Sequence, residues 1–301
     1  MNPREKNLSH IIVLVNKNMP QTPVLTFCTN VKNENANTGF TYLCYGNSSF
    51  QNSVAVLRKA LDNRGIALDL AYLVTDSGDA LFYAESVGLG AAALSYPGNE
   101  GEDLSRALYC IEEIEYMTFG RIEKMWERSC GIPWTIAVTD RLITREQKLS
   151  DIDSLYEIYS DEEISKYVEP LYEDRDCEIK YLKDYIDNQY RYYEYGMWAV
   201  TLKEDGTLIG RAGIGLRSGF DFPEVGYLIG RKYRRCGYAK EALSAVIGYG
   251  KKELGMDTFM AFTKAENEPS IRLLSSLGFT RRQSAIVMGA EHDMYVLTKE
   301  P

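Results

Sequence analysis

Residues 224–240 read EVGYLIGRKYRRCGYAK. Arg231, Lys232, Arg234, Arg235 and Lys240 share this stretch with no acidic residue after Glu224. Gly237 stands where such a loop would turn into a helix starting near Ala239. A helix N-terminus presents unpaired backbone N–H groups and the positive end of the helix dipole, which together suit an anion. Glycine lets the backbone approach that anion closely, and arginines add charge-assisted hydrogen bonds. The chemistry open to these residues is the holding of a phosphate or pyrophosphate. A basic loop with an ordinary glycine fits Arg234-x-x-Gly237-x-Ala239 equally well, so the motif needs a companion.

The companion is NEPSIRLLSSLGF, residues 267–279. Pro269 suits the first turn of a helix and Gly278 its end, while Asn267 is placed to cap it. In order and separation the two segments resemble the CoA-binding motif and the following motif of the GNAT superfamily of N-acetyltransferases. The resemblance covers roughly residues 140–299. GRAGI, EVGYLIG and SIRLL look most like the subgroup that includes the ribosomal-protein N-terminal acetyltransferases of the RimJ/RimL type.

That resemblance implies acetyl-CoA as co-substrate, with acetyl transfer to a primary amine of a small molecule or a protein N-terminus by direct attack in a ternary complex. It implies that Arg234 leads the cradle, with the backbone amides of Arg235, Cys236, Gly237, Tyr238 and Ala239 on the pyrophosphate and Lys240 beside them. The strand Tyr227, Leu228, Ile229 and Gly230 would splay from its neighbour and pair with pantetheine. An N–H near Leu228 or Ile229 would then polarise the thioester carbonyl as an oxyanion hole does. Asn267 and Ser270 would meet the pantetheine arm. Many relatives carry a tyrosine, seven residues after the asparagine, that protonates the leaving thiolate. Leu274 stands there and cannot donate a proton, and Ser275 is too weak an acid, so the general acid is left open.

Glu224 begins the strand where relatives often place a glutamate. Alternation puts Glu224, Gly226 and Leu228 on one face, so its carboxylate is expected to take the proton that an amine must lose. Its competing role is an ion pair with Arg217 or Arg231. The alternatives to an enzyme of this kind are a non-enzymatic acyl-CoA-binding regulatory module, or a bifunctional protein with a hydrolase as its first half.

These residues need a scaffold, and hydrophobic periodicity supplies one. In the second half, 141–146, 198–202, 208–216, 224–230, 258–262, 284–288 and 294–297 read as strands. Asp205-Gly206 marks a hairpin turn. Helices are expected from a capping box near Ser150, over 239–254 and over 269–277. The mixed order indicates an α+β fold. In the first half, 11–15, 24–28, 41–45, 69–75 and 91–95 read as strands, and 53–63, 78–87 and 112–127 as helices. Such alternation implies a mostly parallel, Rossmann-like α/β sheet. The expected division is 1–138 for this domain and 139–301 for the acyltransferase.

Residues 74–94, VTDSGDALFYAESVGLGAAAL, resemble the late acidic motif of haloacid-dehalogenase-like hydrolases, where a strand-end aspartate helps to bind Mg²⁺. Phosphoryl transfer there needs two aspartates after the first strand, one of them the nucleophile. Here 11–15 is followed by Asn16-Lys17-Asn18, and amides can serve neither role. Asn47-Ser48 echoes the second motif of that family. The expectation is a degenerate, non-catalytic domain, the competing reading an unrelated Rossmann-like sheet in which Asp76 caps a helix.

The totals bound the partners. A net charge of −9 over 301 residues argues against general nucleic-acid binding, which needs a basic face. Residues 150–178 hold eleven acidic and two basic residues, a rim that would favour a cationic acceptor if it is not simply a solvated helix face. Tyr181, Tyr185, Tyr190, Tyr192, Tyr193 and Tyr195 would line an acceptor pocket or pack. With only His10 and His292, nothing points to a metal site. The six cysteines form no C-x-x-C pair and read as reduced thiols of a cytoplasmic protein. Neither a membrane span nor an oligomeric state is indicated.

Overall fold

A computed structural model describes residues 6–46 and 52–298; Asn47 and Ser48 lie outside the described residues. The chain forms two compact units, Met1–Ile132 and Pro133–Pro301.

The first unit runs β1 (His10–Asn16), α1 (Gln21–Glu34), β2 (Gly39–Tyr45), α2 (Ser53–Arg64), β3 (Ala71–Thr75), α3 (Gly78–Val87), β4 (Gly90–Leu94), β5 (Cys110–Ile111) and α4 (Phe119–Ser129). Its five strands lie in the order β2-β1-β3-β4-β5, and every pairing is parallel. Ile11, Val13 and Val15 of β1 pack with Phe27 of α1 and Trp126 of α4. Ile12 and Leu14 pack on the other face with Leu57 of α2 and Ala80 of α3. A strand covered on both faces reads as one apolar run without alternation.

The strand expected at 24–28 is the middle of α1. Val24, Phe27, Cys28 and Val31 are its buried residues, spaced i, i+3, i+4 and i+7, and a five-residue apolar window is too short to show that period. The helix expected over 112–127 starts later: Thr118 caps α4 by accepting from Arg121 N at 3.2 Å.

The second unit contains β6 (Thr135–Val138), β7 (Leu142–Arg145), α5 (Ile152–Tyr159), α6 (Glu162–Ser165), α7 (Arg175–Tyr185), a π-helical stretch Ile186–Tyr193, β8 (Met197–Leu202), β9 (Leu208–Gly215), β10 (Glu224–Ile229), α8 (Tyr238–Glu253), β11 (Phe259–Thr263), α9 (Glu268–Ser276), β12 (Thr280–Val287) and β13 (Ala290–Leu297). Eight strands form one sheet in the order β12-β13-β11-β10-β9-β8-β7-β6. Only β10 and β11 run parallel to each other. Residues 135–138, counted with the first half from sequence, are the edge strand of this second sheet.

Asp151, not Ser150, opens α5. Its carboxylate accepts from Lys148 N at 2.9 Å and from both terminal nitrogens of Arg145 at 2.7 Å. Leu228, Ala199 and Leu208 pack under α5 and α6. α8 covers the opposite face, where the Trp198 and Tyr249 rings meet edge-on at 5.4 Å. Among the described residues no helix is long and apolar enough to cross a membrane.

Candidate active site

β10 and β11 share one register pair, Glu224 with Met260, and Met260 N donates to Pro223 O at 2.8 Å. Beyond that pair the two strands part, while β10 stays in register with β9 through Ile229. Gly230 N donates to Ile209 O at 2.8 Å, so the peptide groups of the even-numbered residues Gly230, Leu228 and Gly226 point toward β9. Backbone groups alternate sides along a strand, which leaves the N–H groups of Tyr227 and Ile229 on the open edge. Of the two oxyanion candidates the register favours Ile229, because the Leu228 N–H is turned into the sheet.

The loop after β10 arrives at α8 through two left-handed residues, Arg235 (φ 64°) and Gly237 (φ 83°), with Cys236 between them. Such alternation turns successive N–H groups to one side, a concavity that suits anions. Gly237 is the N-cap of α8 and no side chain caps this helix end, so its first amides have no internal partner. Arg231, Lys232, Arg235, Cys236, Gly237 and Lys240 are exposed. Arg234 is turned away from that concavity: its Nε donates to Ile229 O at 3.1 Å, and its terminal nitrogens pair with Asp161 at 2.9 Å and Glu163 at 3.0 Å. Its charge is directed at these carboxylates, and its role is to brace the loop.

Sequence reasoning missed Arg141. Its Nη1 donates to Cys236 O at 2.9 Å, its Nε donates to Glu241 at 2.8 Å, and its guanidinium lies 4.4 Å from the Tyr238 ring centroid. It ties the turn to α8 from 95 residues away, and no local motif could signal it.

Residues 141–280 match the family model described as the acetyltransferase (GNAT) domain. The uncharacterized N-acetyltransferase YnaD of Bacillus subtilis (strain 168) is 31% identical over 144 residues, which is 48% of this chain and 81% of that protein. The uncharacterized N-acetyltransferase p20 of Bacillus licheniformis is 30% identical over 144 residues, with the same shares of 48% and 81%. The chain belongs to the GNAT acetyltransferase family. It is an acyltransferase of the N-acetyltransferase kind. A solved structure, the GNAT-family acetyltransferase from Bacillus anthracis, is 23% identical with a TM-score of 0.46, covering 54% of this chain and 96% of that one.

In this GNAT chain Glu224 is half-buried on the face it shares with Leu228, and both of its oxygens are taken by Arg217. Nε donates to Oε2 at 2.6 Å and Nη2 donates to Oε1 at 3.1 Å. Asn267 caps α9 by accepting from Ser270 N at 3.3 Å. Ser270 Oγ in turn accepts from the Tyr227 hydroxyl at 3.2 Å, and burial pushes that phenol above its ordinary range. Leu274 is buried at 1% exposure and is part of the packing of α9.

Part of the acidic run is spent on partners within the unit. Asp153 pairs with Arg175, Glu157 with Lys232, and Asp161 and Glu163 with Arg234. Glu178 is buried and accepts from Tyr172 N at 3.0 Å. Of the tyrosine cluster, Tyr190 is fully buried and its hydroxyl donates to Met197 O, while the Tyr185 hydroxyl accepts from Met197 N at 2.8 Å. Tyr181, Tyr192 and Tyr193 are exposed.

In the first unit, Asn16 at the end of β1 and Asp76 at the end of β3 lie together. The Asp76 carboxylate is 1% exposed and accepts from Asn16 N at 2.9 and 3.1 Å and from the Tyr96 hydroxyl at 3.1 Å. Burial pushes its carboxyl up, against the pull of these donors. Asp76 does not cap α3; Ser77 does, accepting from Ala80 N. Asn16 Oδ1 accepts from Asn18 N at 2.9 Å and closes its own turn.

Proposed function

We propose that the second unit transfers an acetyl group from acetyl-CoA to a primary amine by direct attack. The observation that carries this reading is the open edge of β10 running into an uncapped α8, in a chain of the GNAT family. The backbone amides of residues 235–239 would hold the pyrophosphate, with Arg235 and Lys240 adding charge and Arg141 and Arg234 fixing the turn. Tyr227 and Ile229 would pair with the pantetheine arm, and the Ile229 N–H would stabilise the oxyanion. Acetyl-CoA supplies the activated acyl group. The amine nitrogen forms its bond to the acetyl carbon, the bond from that carbon to sulfur breaks, and the thiolate leaves. Glu224 takes the amine proton, directly or through water, once Arg217 yields one of its oxygens. The thiolate proton comes from water or from the Tyr227 hydroxyl, since Leu274 has none to give.

The first unit is read as a separate domain of the degenerate haloacid-dehalogenase-like kind. Its support is the juxtaposition of the β1 and β3 ends with Asn16 and Asn18 where acids would be required.

The cofactor assignment is tested by thermal unfolding with acetyl-CoA, which raises the melting temperature of whatever folded state binds it. Gly237→Glu puts a side chain and a negative charge at the turn. The expected result is a folded protein whose melting temperature no longer responds to acetyl-CoA. An undiminished response in a folded variant would refute the cradle.

A further inference from the structure

Arg211 lies in the middle of β9, in register with Ala199 on one side and Leu228 on the other. Its Nη1 donates to the Tyr159 hydroxyl at 3.2 Å, and this is its one hydrogen bond among the described residues. Its Nε is sealed from solvent and has no partner. No carboxylate of the described residues pairs with it: Asp151, Asp153, Glu157, Asp161 and Glu163 are engaged by Arg145, Arg175, Lys232 and Arg234 instead, and Glu178 accepts from Tyr172 N. Its neighbours are the hydroxyls of Tyr159, Tyr185 and Tyr190, and its charge reaches Tyr181. Tyr181 in turn contacts Tyr172, and both are exposed. A cation drawn into a protein without an anion is costly, and unsatisfied buried polar groups in folded proteins generally have a missing partner to account for them.

We propose that Arg211 is the receptor for a carboxylate on the acceptor, and that the acceptor is a small amino acid rather than a simple amine or a polycation. This rests on the acetyl-transfer reading above. A guanidinium presents parallel N–H donors that match a carboxylate, and here Nη2 has no partner while Nη1 keeps a second N–H beside its bond to Tyr159. Cross-strand partners in a hydrogen-bonded pair stand about 5.5 Å apart at Cα. Arg211 therefore sits one strand away from Leu228, on the same face of the sheet and next to the residue whose N–H is read as the oxyanion donor. An amine that attacks the acetyl carbon while its own anionic group is held by Arg211 must carry the two groups a few bonds apart. That is the geometry of an α- or β-amino acid. The carboxylate takes no part in the bond changes; it orients the nitrogen. Tyr181 and Tyr185 lie near the guanidinium, and their hydroxyls can donate to the remaining lone pairs of the carboxylate.

The test follows thiol release from acetyl-CoA by the full chain. The acceptors are the twenty protein amino acids and β-alanine, each beside its carboxamide and its decarboxylated amine. At least one free acid should be used with a kcat/KM at least ten times that of both of its carboxylate-free partners. Arg211→Gln should then lower that value about 10- to 100-fold, mainly through KM, with Arg211→Lys between the two and the acetyl-CoA melting response intact. The wild-type comparison of acid with amide stands even if Arg211→Gln fails to fold. Equal use of acid, amide and amine, or use of carboxylate-free amines alone, overturns the amino-acid acceptor and leaves acetyl transfer standing. No transfer to any compound, with the acetyl-CoA response present, also overturns it. Absence of both transfer and acetyl-CoA response overturns the acetyl-transfer reading as well.

Discussion

At the joined ends of β1 and β3 the Asp76 carboxylate is enclosed, and its oxygens accept from a backbone N–H and a tyrosine hydroxyl. At the end of β10 the N–H groups of the open edge and of the first turn of α8 are left without internal partners. Both places lie at the carboxyl ends of strands, where α/β folds commonly place ligands. What separates them is where the hydrogen bonds go. Polar groups already satisfied inside the protein stabilise it and offer little to a ligand, whereas unsatisfied ones at a surface are available. The same contrast distinguishes Arg234, braced by two carboxylates, from Arg211, which has none.

The largest expected effect is on the open side. Glu224→Gln keeps the shape and most of the contact with Arg217 while removing the proton acceptor. It should lower kcat by roughly 100-fold or more, with the acetyl-CoA melting response nearly unchanged. Raising the pH should recover part of the loss, because free amine becomes available without help from the enzyme. Wild-type kcat between pH 6 and 9 would leave solvent as the base and Glu224 as only an anchor for Arg217.

A pair of glycine substitutions sharpens the comparison sterically. A Cβ on Gly78, at the closed end, would stand 2.6 Å from the Asp103 carbonyl oxygen. On Gly237, at the open end, it would meet only Arg141 Nη2 at 3.3 Å, although φ of 83° disfavours any side chain. Gly78→Ala should therefore cost about 1–3 kcal/mol through overpacking against backbone, and Gly237→Ala about 1 kcal/mol through its dihedral. Denaturant midpoints of the two variants measure this directly, and the reverse order would contradict the contrast of closed and open ends.

The smallest effect concerns the pH dependence of Asp76. Its folded-state carboxyl is raised by burial, so its contribution to stability is complete below the unfolded carboxylate range and is lost as pH rises through its folded value. Asp76→Asn lacks that loss. The melting temperature of the variant should gain on the wild type steadily from pH 3.5 to pH 7. A difference that shrinks with rising pH would mean that the donors from Asn16 and Tyr96 outweigh burial. In the same preparations, on the proposed reading of the first unit as degenerate, Mg²⁺ should elicit no phosphate release from p-nitrophenyl phosphate; turnover that disappears in Asp76→Asn would overturn that reading.

Much of the local structure around the candidate site could be read from sequence because caps and turns are local. Gly237 at the start of α8, Asn267 at the start of α9 and the hairpin at Asp205-Gly206 are decided within a few residues by capping and turn chemistry. Thin stripes were not readable: α7 buries only Glu178 and Leu182, too little apolar periodicity to announce a helix. The order of the two motifs likewise carried the family without any coordinates.

By itself, then, the sequence determined the turn glycine, the basic loop, the strand that feeds it and the absence of a tyrosine at Leu274. Tertiary structure alone decided that Arg217 holds Glu224, that Arg141 reaches the turn at Cys236, and that Ile229 rather than Leu228 faces the open edge. It also decided that Arg211 stands without an anion among tyrosines from α5, α7 and the π-helical stretch. The reason is physical. Caps and turns are settled by neighbours along the chain, but register and ion pairing between distant segments depend on which elements the whole fold brings side by side, and that is set only when the core closes.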